Sequence, residues 1–199
     1  MHATALKYGK KFFDTYALYI DESAPILDIG SQDINGSLKQ VMPGHFNRRY
    51  VGVDFVEGNN VDVVLTDPYK LPFEDNFAGC IVCSSCFEHA EMFWLTFLEI
   101  MRVLKPSGLF YLNAPSNGVF HQFPVDCWRF YPDSGLALVT WARRMGIPAK
   151  LLESFVGEQD MSDGFNDFVA VFVKSEVHAE NYPDRIVNSL KTLYNWRKG

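Results

Sequence analysis

Three carboxylates stand near the ends of apolar runs that read as buried strands. Asp28 lies in the run 25–30, Asp54 closes the run 50–54, and Asp67 closes the run 61–67. The carboxyl ends of parallel strands meet at one edge of an open α/β sheet, where such folds bind ligands. Buried carboxylates need donors or counter-charges. A ligand with a cationic centre, ribose hydroxyls and an adenine amine offers a partner to each of the three carboxylates. The pattern therefore predicts a positively charged nucleoside as the ligand.

The loop after the first strand favours such a ligand over a dinucleotide. Gly30 lets the backbone approach a ligand closely, and Asn35-Gly36 permits positive φ in the turn that follows. A pyrophosphate site would need the glycine spacing G-x-G-x-x-G, which residues 30–36 lack. Asp28 and Asp33 would also repel an anion there. A nicotinamide-dependent reductase is a second candidate, but its Tyr-x-x-x-Lys pair is absent after the fifth strand.

Two histidines are candidates for the base that would remove a proton from an acceptor hydroxyl. His89 follows the fourth predicted strand and equally fits the start of a helix. His121 lies in a long, aromatic-rich loop at 114–131, close in sequence to Asp126 and Arg129. Loops of this length inside a compact domain are usually functional. The alternative for His121 is an ordinary surface histidine.

The spacing C-x-x-C-x-x-C at Cys80, Cys83 and Cys86 invites a metal interpretation. Cys80 and Cys83 fall in a predicted strand, where residues three apart point to opposite faces. They cannot hold one ion without distortion, and free cysteine is a common buried residue. We therefore predict no metal site, and no disulfide in a reducing cytosol.

The elements that must position these residues alternate between strand and helix. Apolar periodicity predicts strands at 25–30, 50–54, 61–67, 77–84, 109–113, 150–156 and 168–174, and helices at 1–22, 91–104, 133–145 and 183–197, with a short helix from residue 37. Residues 157–167 are too few for a helical crossover, so one terminal strand should be antiparallel. The expected fold is α/β, a Rossmann-like three-layer sandwich whose seven-stranded sheet is mostly parallel, in a single domain at 1–199 with its core at 24–175.

Composition narrows the partners. The 199 residues carry 18 Lys and Arg against 24 Asp and Glu, a formal net charge of -6, which disfavours a nucleic-acid backbone. No apolar stretch reaches the length of a membrane span or a signal peptide. We expect a cytoplasmic protein that acts on a small-molecule acceptor. We expect it to bind neither nucleic acid nor a membrane, and it could form a homodimer.

Several segments resemble class I S-adenosylmethionine-dependent methyltransferases, specifically the methyltransferase type 11 group. They are ILDIG at 26–30, VGVD at 51–54, DPYKLPF at 67–73, Glu88-His89, RVLKPSGL at 102–109 and WRFYPD at 128–133. They occur in the family's order over residues 26–142, more than half of the chain. The family's later motif glycines are replaced by Gln32 and Ile34, although a subset of relatives resembles G-S-x-D-x-N-G, as here. The replacement of these glycines affects the expected position of the cofactor in the site, and not the identity of the cofactor.

The resemblance implies S-adenosylmethionine as cofactor and gives roles to individual residues. Gly30 would contact the methionyl part, Asp28 would orient the loop and the ammonium, Asp54 would bind the ribose hydroxyls, and Asp67 the adenine amine. The full cofactor-binding set is Asp28, Gly30, Ser31, Asp54, Phe55, Asp67, Pro68 and Ser84. The substrate-binding set is Asn113, Asn117, Trp128, Arg129 and Tyr131, with His121 and His89 as catalytic candidates.

The implied reaction is methyl transfer to an oxygen or nitrogen of a small molecule, such as a sugar or natural-product intermediate. Two alternatives share the fold. A nucleic-acid adenine methyltransferase would resemble D-P-P-Y after the fourth strand, where this chain has Ser84-Ser85-Cys86-Phe87. A non-catalytic partner protein would bind the cofactor without turnover.

Overall fold

The computed structural model describes residues 2–44, 48–159, 164–192 and 194–199. Three α-helices are present in these ranges: α1 (Ala3–Tyr16), α2 (Phe93–Val103) and α3 (Pro132–Arg144). The strands are β1 (Ile26–Ile29), β2 (Tyr50–Asp54), β3 (Val63–Val64), β4 (Ala78–Ser84), β5 (Leu104–Pro115), β6 (Lys150–Gln159), β7 (Asn166–Val173) and β8 (Tyr194–Lys198). Short 3-10 turns occur at Ala17–Tyr19, Leu38–Val41, Glu176–Asn181 and Ile186–Ser189.

The eight strands form one sheet in the order β3-β2-β1-β4-β5-β7-β6-β8. The first five in this order pair in parallel, whereas β7 is antiparallel to both β5 and β6. The predicted Rossmann-like sheet with an antiparallel strand is thus confirmed, with one strand more than expected. That strand is β8, which pairs antiparallel with β6. The order reverses at β1 and β4, which is the switch point where ligands bind in this fold.

Each face of the sheet is covered by its own apolar cluster. Helices α2 and α3 cover one face, with Phe97 and Leu138 among the buried residues. Helix α1 covers the other face, because Tyr8, Phe12 and Tyr16 recur at four-residue spacing and form one apolar stripe. The sheet therefore has helices on both faces, as the alternation of elements predicted.

Three predicted elements differ from the structure. The first helix ends at Tyr16 and a 3-10 turn follows, so the boundary predicted at residue 22 is wrong. The third strand is only Val63–Val64. The helix predicted from residue 37 is one 3-10 turn, in which the Ser37 side chain accepts a hydrogen bond from the backbone N–H of Lys39.

The prediction of a C-terminal helix at 183–197 is also wrong. The described residues there form the 3-10 turn Ile186–Ser189 and strand β8. The buried Glu153 carboxylate accepts hydrogen bonds from the backbone N–H groups of Ile186 and Val187 at 2.8 and 3.1 Å. These tertiary bonds fix the turn, and pairing with β6 satisfies the backbone of β8, so the helical pattern of apolar residues is overridden. No helix among the described residues is long and apolar enough to cross a membrane.

Candidate functional site

A cavity of about 490 Å³ opens at the carboxyl ends of β1, β2 and β4. Its size lies in the range usual for small-molecule sites. Seven predicted site residues line it: Gly30, Asp54, Phe55, Pro68, Ser84, His89 and His121. The topology therefore brings together residues that lie up to 91 positions apart in the chain.

The loop after β1 makes one wall of the cavity. Gly30 has φ +76, and a Cβ at this position would lie 2.6 Å from the Cβ of Cys86. Only glycine fits here, both because of the left-handed backbone and because of the close approach of Cys86. The N–H groups of Gly30 and Ser31 both donate to the carbonyl of Val53, at 2.9 and 3.2 Å. The loop is thus fixed to the end of β2.

Asp54 joins the two strand ends. Its Oδ2 accepts a hydrogen bond from the Gln32 N–H at 3.1 Å, and its Oδ1 accepts one from the Phe55 N–H at 2.7 Å. The side chain is 7% exposed and lines the cavity. Oδ1 also accepts a longer hydrogen bond from the Val56 N–H at 3.3 Å. A carboxylate has about four acceptor positions, so three backbone donors leave capacity for a hydroxyl group of a ligand.

Asp28 lies behind the cavity wall. Its Oδ2 accepts a hydrogen bond from the Tyr50 hydroxyl at 2.6 Å. Burial raises the pKa of the Asp28 carboxyl to about 7, which the Tyr50 hydrogen bond partly opposes. A carboxyl that is half protonated near neutral pH is a weak counter-charge, and its position suits holding the β1–β2 region together.

The remaining cofactor candidates differ in position. Asp67 is exposed and accepts a hydrogen bond from the Tyr69 N–H at 2.9 Å, an Asx turn at the rim beside Pro68. Ser31 is buried and donates to the carbonyl of Asn60 at 3.0 Å, so it braces the loop outside the cavity lining. Ser84 lines the cavity and donates to Oδ1 of Asn113 at 3.3 Å.

The two histidines face each other at the end of the cavity formed by the 116–131 loop. Their ring centroids are 5.0 Å apart and the rings are nearly perpendicular, at 87°. The His89 Nδ1 is hydrogen-bonded to the carbonyl oxygen of Val125. Burial lowers the pKa of His89, which favours the neutral ring. The His121 Nδ1 lies 3.5 Å from Oδ2 of Asp126.

Glu88 completes this group, although the sequence did not single it out as a site residue. It is 1% exposed, and Oε1 lies 3.7 Å from Nε2 of His89. Burial raises the pKa of the Glu88 carboxyl to about 8. Ligand atoms of Glu88, His89 and His121 all lie within 4.8 Å of one another, an arrangement that could hold a metal ion. The prediction of no metal site concerned the cysteine motif alone, and Glu88, His89 and His121 are brought together only by the fold.

The loop that carries His121 is fixed by a partly buried ion pair. Arg129 contacts both carboxylate oxygens of Asp126, at 2.5 and 2.8 Å, and also donates to the carbonyl of Val119 at 3.0 Å. The Asp126 side chain is 2% exposed and accepts a hydrogen bond from the His121 N–H at 2.8 Å. This network sets the path of the loop across the cavity.

The five residues predicted to bind substrate lie outside the cavity lining. Their side chains or backbones bind the protein itself instead. Asn117 and Asn166 pair with each other, the Trp128 indole donates to the carbonyl of Ala90 at 3.0 Å, and Tyr131 precedes α3. With Asn113 buried in β5 and Arg129 held by Asp126, all five have contacts that suit a structural role.

Several lining residues were not among the predicted site residues, among them Tyr69, Ser85, Cys86 and Phe123. Ser85 has a positive φ of 53, which turns the chain sharply after β4. The one available signal was the aromatic content of the 114–131 loop, which indicated a pocket wall without specifying Phe123.

The cysteine motif behaves as a structural feature. Cys80 belongs to the apolar cluster under α1, whereas Cys83 belongs to the cluster under α2 and α3. They therefore point to opposite faces of β4, as predicted. All four cysteines of the chain are free thiols.

The cavity fits a sulfonium nucleoside better than a dinucleotide. Its floor presents the Asp54 carboxylate and the glycine turn, and its walls are mainly apolar. No α-helix starts at the loop after β1 in the described ranges, because Leu38–Val41 is a single 3-10 turn. A pyrophosphate site needs the N-terminus of a helix at that point. The observed loop lacks that anion-binding feature.

Comparisons with known proteins bear on the domain and the fold. Residues 27–112 match the family model described as a methyltransferase domain. Among curated proteins, no sequence matches the chain. Solved structures with a similar fold include a Burkholderia thailandensis 1,6-didemethyltoxoflavin-N1-methyltransferase with bound 1,6-didemethyltoxoflavin and S-adenosylhomocysteine, at a TM-score of 0.65 and 14% identity over 86% of this chain and 79% of that chain.

Two further structures show the same architecture. A SAM-dependent methyltransferase from Archaeoglobus fulgidus has a TM-score of 0.59 and 15% identity over 85% of this chain and 94% of that chain. One from Aquifex aeolicus has a TM-score of 0.50 and 17% identity over 84% and 98%. These likenesses establish the fold, and the family match adds the domain. Residues 27–112 thus match a methyltransferase domain, and the chain has the fold of S-adenosylmethionine-dependent methyltransferases.

Proposed function

We propose that the enzyme transfers a methyl group from S-adenosylmethionine to an oxygen or nitrogen of a small molecule. The acceptor would lie between the cofactor and the pair His89 and His121. The observation that carries this proposal is the single cavity that joins Asp54 and the Gly30 turn to both histidines. It gives cofactor and acceptor a common chamber at the switch point of the sheet.

Within this cavity we assign the cofactor to the β1, β2 and β3 ends. Asp54 would accept hydrogen bonds from the ribose hydroxyls, the Gly30 backbone would contact the methionyl part, and Phe55 and Pro68 would cover the adenine. Asp67 at the rim would reach the adenine amine, and Ser84 would lie under the methionine tail. Asp28 and Ser31 would support the loop from behind, since neither lines the cavity.

Bound S-adenosylmethionine supplies an electrophilic methyl group on sulfur, which an acceptor oxygen or nitrogen attacks in line. The protein contributes mainly orientation, since holding two reactants in line lowers the barrier substantially. The imidazole of His89 or His121 can take the proton that a hydroxyl acceptor loses. Asp126, 3.5 Å from the His121 Nδ1, would orient that ring.

The cavity wall favours an acceptor with apolar or aromatic surface. Phe123, Pro124 and Val125 line the acceptor end, and Phe123 is 51% exposed. The Burkholderia thailandensis structure holds 1,6-didemethyltoxoflavin, a small molecule, on the same fold. A compact acceptor is also consistent with a cavity that must hold the cofactor as well.

The charge of the protein and the state of its cysteines bear on its partners and its cellular location. We propose that the enzyme acts on no nucleic acid, because its net charge is -6. Four free thiols support a cytoplasmic location, where cysteines are kept reduced. A homodimer stays a prediction that light scattering would test.

Transfer of a labelled methyl group to a panel of small hydroxylated and amino-substituted aromatic acceptors tests the proposal. We expect turnover with at least one acceptor, and a loss of more than tenfold in kcat/KM when Asp54→Ala removes the ribose acceptor. Asp14→Ala, which removes an exposed carboxylate on α1, is the matched control and should keep full activity. Cofactor binding without methyl transfer to any acceptor of this kind would oppose the assigned substrate class.

A further inference from the structure

A cluster of three side chains at the acceptor end of the cavity has the composition of a metal site. Glu88 and His89 follow β4, and His121 lies on the loop between β5 and α3. One ligand atom from each residue lies within 4.8 Å of those from the other two. We propose that Glu88, His89 and His121 bind a divalent transition-metal ion.

Both imidazoles are oriented as metal ligands usually are. The His89 Nδ1 is hydrogen-bonded to the Val125 carbonyl, and the His121 Nδ1 lies 3.3 Å from the Val119 carbonyl. A carbonyl oxygen only accepts, so each Nδ1 carries the hydrogen and each Nε2 presents its lone pair. Histidines that bind metals donate their other ring N–H to a carbonyl or carboxylate in this way, which fixes both the tautomer and the ring direction.

Glu88 supplies an independent observation. It is almost fully buried, and its Oε1 lies 3.7 Å from the His89 Nε2. Its Oε2 has no hydrogen-bond partner among the described parts of the chain. A buried polar oxygen without a partner is costly. An ion bound between Glu88 and the two imidazoles would give the Glu88 carboxylate a partner, through Oε2 or through Oε1.

The ligand set selects the kind of ion. Two histidines and one glutamate form the protein ligands of a well-known type of catalytic zinc site, and imidazole favours Zn, Fe or Ni over Mg. Ligand atoms on one tetrahedral zinc lie about 3.4 Å apart, so the largest separation here must shorten by about 1.4 Å. His121 can make this approach because it lies on a loop and its side chain is 34% exposed.

The ion would leave one coordination position open toward the cavity. This consequence rests on the proposed function: an acceptor oxygen bound there would lose its proton more readily, because a coordinated hydroxyl has a lower pKa. Glu88, His89 and His121 would then act as ligands, and the ion would take over the activation that the imidazoles alone would otherwise provide.

Metal titration of the chelator-treated, dialysed protein tests the site. We expect one Zn²⁺ per chain by calorimetry, and visible absorption bands of a four- or five-coordinate ion when Co²⁺ is used. Glu88→Gln and His121→Gln should each weaken Zn²⁺ binding at least tenfold. His178→Gln, in the 3-10 turn Glu176–Asn181 outside the cavity, is the matched control and should bind as the parent does.

Thermal unfolding of each metal-free variant shows whether it is folded, and Glu88→Gln preserves the size of the side chain. The inference is overturned if the parent binds no Zn²⁺, or if folded Glu88→Gln and His121→Gln bind it as tightly as the parent. Titration with S-adenosylhomocysteine on the same samples separates the two claims. Binding of the nucleoside without Zn²⁺ defeats the metal site alone, whereas Zn²⁺ binding without the nucleoside defeats the proposed function alone.

Discussion

The carboxylate of Asp54 accepts a hydrogen bond from the backbone N–H of Gln32, at 3.1 Å. The end of β2 is thereby tied to the loop that follows β1, and the two walls of the cavity are held at a fixed distance. The other oxygen of the carboxylate accepts from the Phe55 N–H. One side chain both shapes the site and offers acceptor capacity to a ligand.

Replacing Asp54 should therefore weaken cofactor binding. Asp54→Ala removes a charged acceptor, and hydrogen bonds to charged groups are worth about 1.5–3 kcal/mol, or roughly ten- to a hundredfold in Kd. Calorimetry with S-adenosylhomocysteine measures the change, with Asp14→Ala on α1 as control. An unchanged Kd for folded Asp54→Ala would show that the ribose lies elsewhere.

Gly30→Ala should destabilise the protein more than an alanine at another left-handed glycine. Gly146 has φ +83 and open space around its Cβ position, so Gly146→Ala incurs backbone strain alone, about 1–2 kcal/mol. Gly30→Ala adds a clash with Cys86, for which overpacking predicts about 1–3 kcal/mol more. Urea unfolding of the two variants compares them directly. Equal losses would mean that Cys86 moves aside freely.

Asp28 gives a pH dependence of stability with a defined sign. The pKa of its carboxyl is about 7 in the folded protein against an ordinary value of 3.8. Between these values the unfolded chain gives up the proton while the folded chain keeps it, so this group's contribution to stability is lost as the pH rises.

Asp28→Asn should remove that dependence. The free energy of unfolding of the variant relative to the parent should rise between pH 4 and pH 8 by about 4 kcal/mol at most. Asp14→Asn, an exposed carboxylate, is the control. Taking the difference from the parent at each pH cancels the other titrating groups, and a flat difference would refute the raised pKa.

The ion pair within the 116–131 loop should matter more than a surface pair. Arg129→Ala leaves the Asp126 carboxylate without its guanidinium. Because the Arg129 side chain is itself 22% exposed, we expect a loss of about 1.5–3 kcal/mol, as for hydrogen bonds to charged groups. Arg143→Ala breaks a pair with Glu176 in which both side chains are about half exposed, so a loss of about 1 kcal/mol or less is expected. Chemical denaturation of both variants measures the contrast. Similar losses would indicate that Arg129 does not organise the loop.

Sequence patterns were sufficient to predict much of the fold. Apolar residues recur about every two positions in a strand with one buried face and every three to four positions in a helix, so the pattern reports which kind of element is buried. The strands that end at Asp54 and Ser84 are where the pattern put them. The C-terminal segment was misread because Ile186, Val187 and Leu190 have helical spacing, while the hydrogen bonds that decide their structure come from Glu153, more than 30 residues away. Local spacing carries no information about such partners.

The site was predictable to the extent that it depends on strand ends. Gly30, Asp54 and Ser84 line the cavity because the sheet order places β1, β2 and β4 side by side. The position of Trp128 and Arg129 depended on how the loop folds back on Ala90 and Asp126. The approach of Glu88 to His121 likewise depends on how that loop folds, and no spacing in the sequence predicts this contact.

Calorimetric titration of the purified protein with S-adenosylhomocysteine, S-adenosylmethionine and NAD tests the central claim most directly. The account predicts one site per chain that binds the first two and does not bind NAD. Binding of NAD in place of the two sulfur nucleosides, or failure of both sulfur nucleosides to bind, would contradict it.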